Sequence, residues 1–146
     1  MRHAVVVLCI VATPVLGQVN IENAWARATP PGTKVGAGYM TMRNASGEAD
    51  RLLSAASPRA QRVEMHVHVK EGELMKMREV KGFDIPPRGS FELKPGSAHL
   101  MFVSIGAPFK EGEKIPVTLR FRRAGEVRTE FQVGRLADAG PPHGKH

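Results

Sequence analysis

The chain has 146 residues, a formal net charge of +7, and only one cysteine, one tryptophan and one tyrosine. That length suits one domain with a core of its own. The scarcity of aromatic side chains argues against a base-stacking surface for nucleic acid and against a sugar-binding platform.

Taken in chain order, the first element is not part of the fold. Met1-Arg2-His3 is a short charged start, AVVVLCIVATPVL (4–16) is a nearly unbroken apolar run, and Gly17 closes a small-residue cleavage site. This is the three-part layout of a secretory signal peptide, and the run is short for a membrane span. Residues 1–17 therefore read as a signal peptide, 18–136 as the folded domain and 137–146 as a flexible C-terminal tail. Cys9 falls inside the signal and away from the cleavage site, so lipid attachment there is not expected. The mature chain from Gln18 then has no cysteine, hence no disulfide, no thiolate nucleophile and no thiolate metal ligand. Losing Arg2 leaves 20 basic and 14 acidic residues, a net charge of +6. The charge is scattered, which reads as a solubility and docking feature of an exported protein facing membranes and acidic surfaces.

Beyond residue 18 a helical period is hard to find. Short alternating segments recur instead, at 21–29, 37–44, 51–57, 62–70, 73–80, 90–94, 98–106, 114–123 and 126–134. The turn signals PPG, SGEAD, KEGE, PPRG, KPGS and RAGE separate them. Strands of this length and spacing predict an antiparallel sandwich or Greek-key barrel in a single all-β domain.

Strand alternation assigns the faces. In RVEMHVHVK, Val63, Met65, Val67 and Val69 form the apolar side, opposite Glu64, His66 and His68. In AHLMF, Leu100 and Phe102 oppose His99 and Met101. Met75 and Met77 share a face of ELMKMREV. Two strands thus carry histidine away from their apolar side, one of them with a thioether beside it.

Imidazole with thioether is a donor set that selects Cu(I) among common biological metals. Thioether needs no deprotonation to bind, and it persists where cysteines would oxidise. A blue-copper centre needs a cysteine this chain lacks, and zinc sites use cysteine, histidine and carboxylate. Taken singly, a methionine in a strand is more often core filling and an exposed histidine is usually just solvated. Spacing by itself leaves both readings open.

The spacing does match a known pattern. The chain resembles the periplasmic copper chaperone family called PCuAC, marked by His-x10-Met-x21-His-x-Met. Here His66, Met77, His99 and Met101 fit every gap; chance matches at this composition are on the order of 10⁻⁴ to 10⁻³ per chain. AWARATPPG, GAGYMTMRN, GEADRLLSA, ELMKMR and KPGSAHLMF also look like family segments, so the likeness spans the mature chain apart from the tail.

The resemblance implies a cupredoxin-like Greek-key β-barrel with His66, Met77, His99 and Met101 as Cu(I) ligands. It also implies a periplasmic location and delivery of copper to the dinuclear copper centre of cytochrome c oxidase. A thioredoxin-like copper protein is a further candidate partner. Many members carry a methionine just after the first histidine, where this chain has Val67. Some carry a long His- and Met-rich C-terminal extension for Cu(II), where this chain offers only His143 and His146. His68 and Met75, each two residues from an expected ligand, rank lower, as spare donors or as residues that support the ligands. Trp25 and Tyr39 read as packing residues.

A copper buffer or resistance protein without a dedicated recipient would use the same ligands. An enzyme is not expected. A histidine-brace monooxygenase needs histidine as the first mature residue, where this chain has Gln18. A copper–zinc dismutase needs more clustered histidine with aspartate, and GxSxG and SxxK are absent. A plain adhesion or carbohydrate module would leave the ligand spacing as coincidence.

Overall fold

The computed structural model describes residues 2–3 and 18–135. The expected signal peptide and tail, including His143 and His146, lie outside the described residues apart from Arg2 and His3. Ten strands follow in order: β1 (Val19–Arg27), β2 (Val35–Asn44), β3 (Asp50–Ala56), β4 (Ala60–Glu71), β5 (Leu74–Val80), β6 (Phe83–Ile85), β7 (Ser90–Glu92), β8 (Ala98–Ile105), β9 (Lys114–Phe121) and β10 (Gly125–Gly134). The nine segments expected from alternation are all strands, with ends within two residues of those read. The tenth, β6, has three residues between Gly82 and Pro86, too few for alternation to show, although Phe83 and Ile85 are buried.

The hydrogen-bonded order runs β4-β8-β2-β1-β10-β9-β3, and Ala55 of β3 pairs back to Val63 of β4. That closes a barrel of seven strands, with β5 beside β4, β6 beside β3 and β7 on β2. The expectation of an antiparallel barrel holds for every pairing but one: β1 and β10 run parallel. A closed ring with an odd number of strands cannot alternate direction all the way round, so one parallel pair is forced.

Inside, the apolar faces meet as the alternation required. Phe102 lies edge-on to Phe109 (5.2 Å) and Phe131 (6.2 Å), and Leu52, Leu100, Ile115 and Leu119 are fully enclosed with them. Each such side chain contributes about 1.5–3 kcal/mol by leaving water. Two glycines of β2 make room for the rings. A Cβ on Gly36 would stand 2.7 Å from Phe109, and one on Gly38 2.8 Å from Phe102.

Strand β1 carries a bulge. Glu22 pairs with Thr41, but three residues on Trp25 pairs with Tyr39, two positions back. Asn23 sits in the bulge at φ 52°, a left-handed conformation that asparagine tolerates better than most side chains. Without the extra residue Ala24 would face Tyr39. The bulge puts Trp25 there instead, and the two rings stack at 4.6 Å.

Two buried polar residues tie the other side of the barrel. Asp50 accepts the backbone N–H groups of Arg51, Arg123 and Ala124 at 2.7–2.9 Å. Asn44 donates to the carbonyls of Glu48 and Pro86 and accepts from the N–H of Ser46.

Candidate metal centre

The site is built by the register of three adjacent strands. Across β4 and β8, His66 faces His99 and Glu64 faces Met101. Across β4 and β5, His68 faces Met77 and His66 faces Glu79. Directly opposed residues point to the same side of a sheet. Glu64, His66, His68, Met77, His99 and Met101 therefore share one face, and Met65, Leu100 and Phe102 fill the core from the other.

The two histidines are brought together. Their ring centroids are 5.5 Å apart with planes 20° from parallel, and both residues are buried. Imidazoles sharing one ion through ~2.0 Å bonds have centroids about 4.5–6.5 Å apart, a range that includes this spacing, although stacked rings must turn to aim their in-plane lone pairs at one point. His68 stands 5.4 Å from His99 on the other flank. Beyond His99 the row continues to Tyr39, at 6.3 Å, and then to the stacked Trp25. Trp25 and Tyr39 are packing residues, as expected, and their place is the wall beside His99.

The methionines sit less centrally. Met101 is partly buried and diagonal to His66 through β8. Met77 is 48% exposed and diagonal to His66 through β5. Diagonal neighbours in a sheet lie about 7–8 Å apart, within reach of long side chains. His66 alone has the other three as direct or diagonal neighbours; Met77 and Met101 stand on opposite flanks of β4. Met75 lies further out, opposite Lys70 and 59% exposed.

Electrostatics favour a neutral nitrogen donor at His99. Burial, aided by the nearby His66 and His68, holds His99 down at about 4, so its ring is uncharged at neutral pH and keeps a lone pair for a metal. His66 Nε2 lies 2.8 Å from Glu64 Oε2, and Arg62 Nε donates to Glu64 Oε1 at 2.6 Å. The Arg62 and His66 hydrogen bonds keep the Glu64 carboxyl below its usual range, and the carboxylate is the acceptor in both. The other ring nitrogen of His66, Nδ1, is buried with no partner. Leaving a buried ring nitrogen unmet costs about 1–3 kcal/mol. Among the described residues, no three His, Cys, Asp or Glu side chains converge to hold a metal. The thioethers of Met77 and Met101 are the other soft donors on this face.

Glu64 as the hydrogen-bond partner of His66 is what the sequence reading missed. The signal was available: Arg62, Glu64 and His66 alternate along one strand face.

The model of a family described as "Putative lipoprotein LpqE-like" matches residues 19–133. The chain belongs to the LpqE-like family. A relative, "Putative lipoprotein Lxx21020" of Leifsonia xyli subsp. xyli (strain CTCB07), is 33% identical over 104 residues, which span 70% of this chain and 61% of that protein. Among solved structures, the copper-bound PCuAC domain from PmoF2 superposes with a TM-score of 0.71 at 26% identity, covering 84% of this chain and 97% of the domain. The solution structure of CuI-DR1885 from Deinococcus radiodurans gives 0.65 at 27% identity, covering 81% and 78%. The expected cupredoxin-like barrel is thus the fold this LpqE-like chain shares with PCuAC domains.

Proposed function

We propose that this protein is a periplasmic Cu(I) metallochaperone that binds one ion through His66, Met77, His99 and Met101. The observation that carries the reading is the His66–His99 pair: two buried imidazoles at ligating separation, one with a buried unpartnered nitrogen, on a sheet face shared with two thioethers. The copper-bound PCuAC domain and CuI-DR1885 support copper as the cargo, since this chain has their fold at 26–27% identity. Neutral imidazole and thioether donors favour the soft monovalent ion. The lipoprotein description of the family and of its relative supports export to the cell envelope.

The arrangement suits a carrier more than a store. His66 and His99 are fixed by the barrel, whereas Met77 rides on an exposed hairpin edge. A weak neutral ligand on that edge is the natural one to leave first when an incoming donor attacks the ion. The basic surface would steer the loaded protein toward an acidic recipient. The recipient proposed is the dinuclear copper centre of cytochrome c oxidase, with a thioredoxin-like copper protein as a further partner.

The test is delivery. The Cu(I)-loaded protein from Gln18 is mixed anaerobically with the apo copper-bearing domain of the oxidase, the two are separated at intervals, and the copper in each is measured by elemental analysis. Transfer faster than from an equimolar Cu(I)–chelator complex is expected. Retention of copper by the donor, or transfer no faster than from the chelator, would replace the chaperone with a copper buffer.

A further inference from the structure

A neutral imidazole has one N–H and one lone pair, and a metal takes whichever nitrogen holds the lone pair. At His66 the surroundings decide which. A carboxylate can only accept, and Glu64 Oε2 is 2.8 Å from Nε2, so the proton of the neutral ring lies on Nε2. The lone pair then lies on Nδ1, the buried nitrogen without a partner. Arg62 occupies the other oxygen of Glu64 and holds the carboxylate in line. Side chains two residues apart on a strand are about 6–7 Å apart along one face, which these long chains bridge. The three residues form a row along one face of β4 that ends at His66.

We propose that Glu64 is a positioning residue of the copper site: it anchors the Nε2–H of His66 and so presents Nδ1 as the ligating atom. This rests on the reading of His66 as a copper ligand. A ligand whose far N–H is bonded to a carboxylate is fixed in tautomer and ring orientation, and loss of such a partner typically costs 10- to 100-fold in metal affinity. By holding both oxygens of Glu64 in other bonds, the row also keeps a hard oxygen donor away from a site suited to a soft ion.

The experiment uses ¹⁵N-labelled protein from Gln18 and two-bond ¹H–¹⁵N correlations of the imidazoles, before and after one equivalent of diamagnetic Cu(I). The apo protein is expected to show His66 as the Nε2–H tautomer, and Cu(I) to shift Nδ1 while Nε2 stays protonated. In parallel, Glu64→Ala should give a mixed His66 tautomer and a ~10- to 100-fold weaker Cu(I) affinity. Glu64→Gln, whose amide oxygen still accepts, should stay within about 10-fold of the parent. A Cu(I) shift at Nε2, or parental affinity in Glu64→Ala, would overturn the proposal. His66→Ala separates the two levels. If it loses copper while Glu64→Ala does not, only the positioning role falls; if it binds copper like the parent, the ligand assignment falls as well.

Discussion

Asp50 and His66 are both buried polar residues on strands of one barrel, and their hydrogen bonding differs in kind. Asp50 spends its carboxylate on three backbone N–H groups and closes the account of the β9–β10 turn. Asn44, close by in the fold, has its amide oxygen and nitrogen both engaged. His66 is held at one nitrogen and left open at the other, beside a second buried imidazole kept neutral by its surroundings. A buried polar group that is fully paired serves the fold; one left unpaired lowers stability, and His66 Nδ1 and Arg27 Nε are both of this kind. On the proposed function, the barrel has a stability pole around Asp50 and a binding pole around His66.

If the two poles are separate, they should break separately. The largest effect belongs to Asp50→Ala, which leaves three N–H groups short of their acceptor. Chemical denaturation should show a loss of about 3–5 kcal/mol, while the folded fraction binds Cu(I) with parental affinity. Coupled loss of both would mean the poles are one unit.

Acid should act on the binding pole of the copper-free protein. His99 titrates near 6.5 in the unfolded chain and about 4 in the fold, so the unfolded state binds its proton first. The stability this contributes is absent at no pH above 6.5, falls as pH drops through the interval from 6.5 to about 4, and is spent below it. Urea melts of the parent should decline across that window more steeply than those of His99→Gln. Parallel curves for the two proteins would contradict the assignment.

The smallest effects grade the methionines. Met77→Ala should weaken Cu(I) binding by roughly 10-fold and speed its release, whereas Met75→Ala, further out on the same hairpin, should change affinity by less than about 3-fold. Equal losses would show that either thioether can close the site, and that the hairpin binds as a flexible pair of donors.

How much of this the sequence disclosed follows from the range of the interactions. Alternation is local, so the faces of β4 and β8 and the burial of Met65, Leu100 and Phe102 could be read directly. So could the side on which His66, His99 and Met101 fall. Pairing between strands is not local. That His66 faces His99 while Met77 faces His68 depends on register, which no pattern within a single strand reveals. The bulge at Asn23, which sets Trp25 against Tyr39, belongs to the β1–β2 register, and the parallel β1–β10 pair is a property of barrel closure. The Arg62–Glu64–His66 row was legible in principle, because it lies on one strand, and was passed over because acidic residues on a solvent-facing side are common.

The central claim is that His66 and His99 together hold one Cu(I) ion on this face. The most direct test is an anaerobic competition titration against a chromophoric Cu(I) chelator, using the protein from Gln18 and its His66→Ala and His99→Ala variants. The account predicts one tight equivalent for the parent and a loss of more than ~100-fold in each variant, with both variants still folded by circular dichroism. Parental stoichiometry and affinity in either variant would contradict it.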